Sequence, residues 1–170
     1  ASPGPERTRS GPVVATTAGR LEGLRRGDVD AFLGVPYASP PTGRLRWRAP
    51  QPVVSWPGVR PATGFAPSCM QMWPPPSFGP YTAEYVDTPK PSENCLYLNV
   101  WTPVKREGRL PVLVWIHGGG FLGGSGAVPI YDGAKLAARG LVVVTINYRV
   151  GPFGFLAHPE LTREANGTGV

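Results

Sequence analysis

The sequence predicts an α/β fold that joins a small antiparallel sheet to the first strands of a larger sheet. The continuous apolar runs Val112–Ile116 and Leu141–Asn147 are typical of strands buried on both faces of a sheet. A helical segment lies between them, and strand–helix–strand order begins a doubly wound sheet. Short β-prone runs separated by turns near the N-terminus indicate the antiparallel part.

The first half of the chain contains the small sheet and a long loop region. Residues 1–12 are polar and rich in proline and glycine, so we expect them to be frayed. Turns then separate three short β-prone runs, which predict an antiparallel meander of Val13–Thr17, Arg20–Arg25 and Val29–Val35. Pro36–Ser92 follows and holds 14 of the 22 prolines, which predicts an ordered but irregular surface region.

The second half contains the larger sheet. The alternating, aromatic segment Cys95–Trp101 predicts a strand that precedes the two apolar runs. Between those runs, Asp132 has the side chain of a helix N-cap and Gly140 is typical of a helix C-terminus. We therefore expect one short helix between them.

Composition excludes several functional classes. With 41% hydrophobic and 16% charged residues, the chain has the balance of a folded domain and not of a disordered one. The net charge of +6 comes mainly from 14 arginines. Arg44, Arg46 and Arg48 lie in a Pro/Gly-rich loop without a recognition helix or an aromatic sheet motif, so we expect no nucleic-acid partner. No apolar segment is long enough to predict a membrane span.

The two cysteines favour a disulfide over a metal site. Cys69 and Cys95 enclose 25 residues of proline-rich chain, and the only histidines are His117 and His158. Metal-binding sequences normally contain closely paired ligands, which this chain lacks, so we expect no metal and no cofactor. A disulfide indicates an oxidising compartment, which favours a secreted or otherwise extracytoplasmic protein.

The most informative segment is His117-Gly118-Gly119-Gly120-Phe121, directly after the first apolar run. Glycines at the end of a strand let backbone N–H groups approach a ligand closely. Two such donors suit the negative oxygen that forms when an ester carbonyl is attacked. In lipases and esterases an HGGG loop supplies half of the oxyanion hole, and a Gly-x-Ser-x-Gly turn supplies the nucleophile. No convincing turn of that kind occurs before Val170.

Ser125 is a poor candidate for the nucleophile. Gly123-Gly124-Ser125-Gly126 departs from Gly-x-Ser-x-Gly, although Asp132 and His158 follow in the chain order of a hydrolase triad. A nucleophile turn needs a strand before the serine and a helix directly after it, and Ser125 has neither. We expect His117 to fix its loop by hydrogen bonds, and His158 to be a surface or packing residue.

Five segments, in order, resemble the N-terminal part of the type-B carboxylesterases, the family that includes cholinesterases and bacterial para-nitrobenzyl esterases. The match runs from about Val13 to Gly169. Its segments are Phe32–Ala38, Pro41–Trp47, Ser92–Val100, His117–Phe121 and Asn147–Leu156. One departure is Asn94, where the family usually has aspartate. The resemblance implies an α/β-hydrolase fold, of which residues 1–170 are the N-terminal part, truncated before the nucleophile.

The resemblance also assigns roles to individual residues. It implies that Gly119 and Gly120 donate to the oxyanion, that Cys69 and Cys95 form the disulfide of an entrance loop, and that a structural ion pair joins two residues. These two are Arg46 and Glu93. Candidate substrate-pocket residues are Phe121, Trp73, Tyr81 and Tyr85, and the place of a choline-binding tryptophan is taken by Tyr85.

The implied activity is hydrolysis of small-molecule carboxylic esters through a Ser-His-Glu/Asp triad and an acyl-enzyme. All three triad members would lie beyond Val170, so the 170 residues alone would be inactive and would need the remainder of the hydrolase domain. Two alternatives are a non-catalytic relative used for binding or adhesion, and an inactive fragment.

Overall fold

A computed structural model describes residues 11–75 and 81–166 of the chain. The first ten residues of the segment expected to be frayed lie outside this description. The described strands form a three-stranded and a five-stranded sheet. The strands are Val13–Ala15 (β1), Arg20–Glu22 (β2), Leu24–Arg26 (β3), Val29–Pro36 (β4), Val59–Pro61 (β5), Tyr97–Pro103 (β6), Val112–Ile116 (β7) and Val142–Ile146 (β8). The α-helices are Ala83–Val86 (α1), Ala134–Ala137 (α2), Gly151–Phe155 (α3) and Pro159–Glu164 (α4).

The small sheet differs from the expected antiparallel meander. Its order is β1-β2-β5, and β5 runs parallel to β2. The predicted strand Arg20–Arg25 is divided at Gly23, where a Cβ would lie 2.5 Å from the carbonyl oxygen of Ala31. Only the bare backbone of glycine permits this approach, and the chain changes sheets there. The third strand comes from the region expected to be irregular, where three residues ending in Pro61 carry no recognisable strand pattern.

The larger sheet has the order β3-β4-β6-β8-β7. Its first three pairings are antiparallel, and β7 and β8 are parallel, with Val114 opposite Val144. The helix α2 connects these two strands, which confirms the predicted strand–helix–strand unit. Gly140 has a φ of +95° and its N–H donates to Ala137, so it ends the helix as expected. The N-cap is Gly133, one residue after the predicted Asp132, whose Oδ1 accepts from the N–H of Ala134 at 2.8 Å.

The main core lies between this sheet and α2. Trp101 of β6 is 1% exposed and packs with Val143 of β8 and Ala137 of α2, which is fully buried. Burying the indole and its neighbours provides the main hydrophobic stabilisation of the α2 face of the sheet. A second core cluster surrounds the disulfide and includes Leu96 and Val150.

The strand β7 does not have the burial that its sequence predicts. All five residues are exposed, with Val112 at 61% and Ile116 at 63%. The strand is at one end of the described sheet, so it has a hydrogen-bonded neighbour only on the β8 side. Among the described residues, β7 is therefore an apolar strand whose outer edge and side chains are open.

Candidate functional site

The glycine-rich loop begins where β7 ends, at the carboxyl edge of the larger sheet. The N–H of Leu122 donates to the carbonyl of Gly119 at 3.0 Å, which closes a tight turn. The two central residues, Gly120 and Phe121, have φ values of +59° and +63°, as in a type I′ turn. Phe121 is a rare non-glycine residue in this conformation. Its carbonyl accepts from the N–H of Gly151 at 2.6 Å, which holds the strained turn against α3.

The chain after the turn packs back on the chain before it. Gly119 has a φ of +121°, and a Cβ there would overlap the carbonyl oxygen of Gly123. At Gly118 and Gly120 a Cβ would meet no described atom within 4 Å. The loop therefore needs glycine for close packing at Gly119, and for backbone conformation at Gly119 and Gly120.

This geometry leaves donors free at the strand end. Among the hydrogen bonds of residues 11–75 and 81–166, none is donated by the N–H of Gly119 or Gly120. Both residues are exposed. Unpaired backbone N–H groups at the carboxyl edge of an open α/β sheet are suited to bind an anion or a developing negative charge.

His117 is a structural part of this loop. It is 3% exposed, and its ring stacks on that of Tyr148 with centroids 4.4 Å apart. Its Nδ1 lies 2.8 Å from the carbonyl oxygen of Gly118, which requires the proton on Nδ1. Burial lowers the pKa of His117, so the ring is neutral at pH 7. The hydroxyl of Tyr148 donates to the carbonyl of His117 at 2.9 Å, so the start of the loop is fixed on both sides.

Ser125 is not placed to act as a nucleophile. It is fully buried, and its Oγ donates to Asn147 at 3.2 Å and accepts from the N–H of Ala127 at 3.1 Å. His158 is the N-cap of α4, where its Nδ1 accepts from the N–H of Glu160 at 3.3 Å. The contacts of Ser125 leave its buried hydroxyl unavailable to a substrate, and the N-cap bond gives the exposed His158 a structural role.

Two buried asparagines hold the chain that follows the loop. Asn147 accepts from Ser125 and from the N–H of Gly126, and donates to the carbonyls of Pro67 and Cys95. Asn99 donates to the carbonyl of Gly126 at 3.3 Å. Sequence reasoning missed both roles, because the partners lie far apart in the chain and no local pattern marks a buried amide.

The disulfide between Cys69 and Cys95 is formed, and both residues are almost fully buried. Gln71, two residues after the first cysteine, bonds to both backbone groups of Gly124 across the loop. Sequence analysis gave no signal for Gln71, since a single glutamine beside a cysteine has no characteristic pattern.

Arg46 and Glu93 pair through two parallel hydrogen bonds of 2.6 Å, from Nε and Nη2 to the two carboxylate oxygens. The hydrogen bond to Glu93 raises the pKa of the Arg46 guanidinium, which stays charged. Glu93 lies between the disulfide and Ser92, whose N–H donates to Ser68. The pair therefore joins the early loop to the segment that leads into the disulfide.

The four aromatic pocket candidates do not form one wall in the described residues. Phe121 is 61% exposed beside the free N–H groups and packs on Phe155 with centroids 4.8 Å apart. Trp73 lines an open cavity of about 520 Å³ in the disulfide loop. Tyr81 and Tyr85 pack together at α1, with ring centroids 5.5 Å apart. Neither is among the described residues that line the cavity beside Trp73.

The described part of the chain has no cluster of three or more His, Cys, Asp or Glu residues that could hold a metal ion. It also has no helix long and apolar enough to cross a membrane.

Known proteins resemble the chain in sequence. A fumonisin B1 esterase from Sphingopyxis macrogoltabida is 50% identical over 151 residues, which cover 88% of this chain and 26% of that protein. The para-nitrobenzyl esterase of Bacillus subtilis (strain 168) is 46% identical over 145 residues, covering 85% and 29%. A cholinesterase from Mus musculus is 44% identical over 163 residues, covering 92% and 27%. The chain thus spans between a quarter and a third of the length of these relatives.

Solved structures and a family model agree with these relatives. A PNB esterase structure superposes with a TM-score of 0.78 at 43% identity, covering 87% of this chain and 30% of that one. A thermophilic PNB esterase gives the same TM-score at 44% identity, with the same coverage. Both show that the two sheets form the N-terminal portion of an α/β-hydrolase fold. Residues 10–168 match the model of the carboxylesterase family, and by this match over nearly its whole length the chain belongs to that family.

Proposed function

We propose that the chain is the N-terminal part of a serine carboxylesterase domain and supplies its oxyanion-hole loop. Gly119 and Gly120 donate their N–H groups to the oxygen of the tetrahedral intermediate. A serine, a histidine and an acidic residue outside these 170 residues attack the ester and transfer the protons, through an acyl-enzyme. Family membership supports the reaction class, and the names of the esterase relatives agree with it.

The observation that carries the proposal is the pair of unpaired N–H groups at the end of β7. In water such donors would gain little, but in a site closed to solvent they stabilise charge that appears only in the transition state. The strained turn and the fixed His117 hold the donors before substrate arrives, so little reorganisation accompanies the reaction. Phe121 places an apolar ring beside them, where the acyl or alcohol group of an ester would bind.

The remainder of the domain, in this proposal, packs against β7. The strand exposes apolar side chains along its length, and no other described strand pairs with the backbone groups of its outer edge. Covering this edge would bury the apolar residues and satisfy the backbone hydrogen bonds together. It would also bring further residues to the carboxyl edge of the sheet, where the free N–H groups lie.

The remaining assignments follow from the same proposal. The substrate is a small-molecule ester that enters past the disulfide loop, with Trp73, Tyr81 and Tyr85 as contributors to the entrance. The disulfide favours an extracytoplasmic location. The alternative, a non-catalytic binding or adhesion domain, has no need of two N–H groups held free at a strand end.

Fluorophosphonate labelling of the complete polypeptide, followed by intact and peptide mass analysis, tests the proposal. We expect one label on a serine outside residues 1–170, and no label on these 170 residues expressed alone. Label on Ser125 would overturn the placement of the nucleophile. Absence of any label and of any ester hydrolysis by the complete, folded polypeptide would favour the non-catalytic alternative.

A further inference from the structure

The side chain of Gln71 pairs with the whole peptide edge of Gly124. Its Oε1 accepts from the N–H of Gly124 at 2.8 Å, and its Nε2 donates to the carbonyl of Gly124 at 2.8 Å. The second hydrogen of Nε2 is donated to the carbonyl of Cys69 at 3.0 Å. Both donor hydrogens of the amide are thus used, and all three bonds end on backbone.

Gly124 in turn limits where the oxyanion loop can lie. With a φ of +110°, it packs so closely on the loop that a Cβ would overlap the ring of His117 and lie 2.6 Å from the carbonyl oxygen of Gly118. The neighbouring Gly123 packs in the same way against Gly119. A shift of Gly123 and Gly124 toward the loop would therefore clash with Gly118 and Gly119. A shift away from it would remove the contacts that hold these two glycines, which directly precede Gly120.

Gln71 is also bonded to the buried disulfide region, through the carbonyl of Cys69. Cys69 is 2% exposed and is bonded to Cys95, which is 1% exposed. The carbonyl of Cys95 also accepts from the buried Asn147, which holds Gly126 on the far side of Gly124. The contacts run from the disulfide through Gln71 to Gly124, and from there to the glycine turn.

We propose that Gln71 is a positioning residue for the oxyanion hole, coupling the disulfide loop to the Gly119 and Gly120 donors. The inference rests on the proposed esterase function and deepens it. Gln71 touches no substrate. It fixes the returning chain against which the turn is packed, and so fixes the direction of the N–H groups.

The geometry makes glutamine specific at this position. Methionine has the same length and fills the same space, but it neither donates nor accepts to Gly124. Glutamate keeps the shape and the acceptor, but an ionised carboxylate oxygen would face the carbonyls of Cys69 and Gly124, where Nε2 now donates. Protonating that carboxyl restores one donor to this place.

The test compares Gln71→Met and Gln71→Glu with the wild type, in the complete enzyme with active sites titrated by fluorophosphonate. Gln51→Met is the matched control, because Gln51 is exposed and makes one side-chain bond, to the carbonyl of Ala49 at 3.0 Å. Catalytic groups misplaced by about 1 Å can lose about 100-fold in rate, so we expect Gln71→Met to lower kcat about 10- to 100-fold. We expect KM to change less than about threefold, since the donors act mainly in the transition state.

Two readouts separate positioning from a general loss of stability. A trifluoromethyl ketone adds to the active serine and places its alkoxide in the oxyanion hole. In Gln71→Met, the Ki of this inhibitor should therefore rise by the same factor as kcat/KM falls. For Gln71→Glu, the rate divided by the wild-type rate should rise as the pH is lowered from about 8 to about 6, as the carboxyl facing two carbonyls takes up its proton. This ratio cancels the titration of the catalytic histidine.

The outcomes distinguish this inference from the proposed function. If the wild type neither labels nor hydrolyses esters, the proposed function fails. If the wild type is active but Gln71→Met matches Gln51→Met in kcat and in Ki, or only its Tm falls, the positioning role is overturned. If Gln71→Met does not fold, a rate ratio for Gln71→Glu that is flat with pH overturns it instead.

Discussion

Replacing Gly119 with alanine should lower kcat by about 10²–10³-fold, the usual effect of losing one oxyanion donor. A methyl group at Gly119 would overlap the carbonyl oxygen of Gly123 and lie 2.8 Å from its carbonyl carbon. An unstrained contact between two carbons needs at least about 3.5 Å, so the turn must open by roughly 0.7 Å or more. Catalytic groups need to be held within about 0.5 Å, and the opening exceeds this limit.

The assay is hydrolysis of a para-nitrophenyl ester by the complete enzyme, with kcat expressed per titrated active site. Gly118→Ala is the control, because Gly118 has no left-handed φ and its methyl would meet no described atom within 4 Å. We expect its kcat to stay within about threefold of the wild type. Gly120→Ala also has room, but its φ of +59° costs about 1–2 kcal/mol, so a smaller loss than for Gly119→Ala is expected. Equal losses in Gly118→Ala and Gly119→Ala would refute the crowding argument.

Three further predictions concern stability. Ser125→Ala should leave fluorophosphonate labelling intact but lower the free energy of unfolding by about 1–2 kcal/mol, because the buried N–H of Ala127 loses its acceptor. Loss of labelling in a folded variant would contradict the structural role of Ser125. Replacing both Cys69 and Cys95 with serine should lower the free energy of unfolding by about 3–4 kcal/mol, measured by urea unfolding, since the bridge closes a separation of 26 residues. Burial lowers the pKa of His117. Below about pH 6.5 the unfolded chain therefore binds a proton at this histidine that the folded chain does not, so the free energy of unfolding should fall as the pH drops below about 6.5. His117→Phe keeps the stacking and should lose less stability than the wild type between about pH 7.5 and 5.5, as measured by Tm.

The family and the glycine-rich turn after β7 could be predicted because they depend on local sequence. His117 to Phe121 follows an apolar strand directly, and a run of glycines there has few other uses. The strand–helix–strand unit around α2 was equally readable from its apolar runs and from Gly140. The pairing of Cys69 with Cys95 needed little more, since the chain has no other cysteine.

The small sheet was predicted less well, for a physical reason. Strands of three residues, such as β1, β2 and β5, carry too few side chains for an alternating pattern, and their pairing is decided by packing. Gly23 appears in the sequence as one more turn residue, although it is the point where the chain passes between two sheets. The prediction that β7 is buried on both faces was also wrong for the described residues. An apolar run indicates that a strand is suited to apolar neighbours, but it does not show whether those neighbours are among the described residues.

The sequence by itself determined the family, the fold class and the place of the glycine-rich loop at a strand end, since all three depend on motifs of neighbouring residues. Only the tertiary structure decided which N–H groups are free, that Ser125 is buried, and that Gln71 holds Gly124. The last two depend on contacts between residues far apart in the chain, 22 positions for Ser125 with Asn147 and 53 for Gln71 with Gly124. A hydrogen bond across such a distance is made by the folded chain as a whole and leaves no pattern in the residues on either side of it.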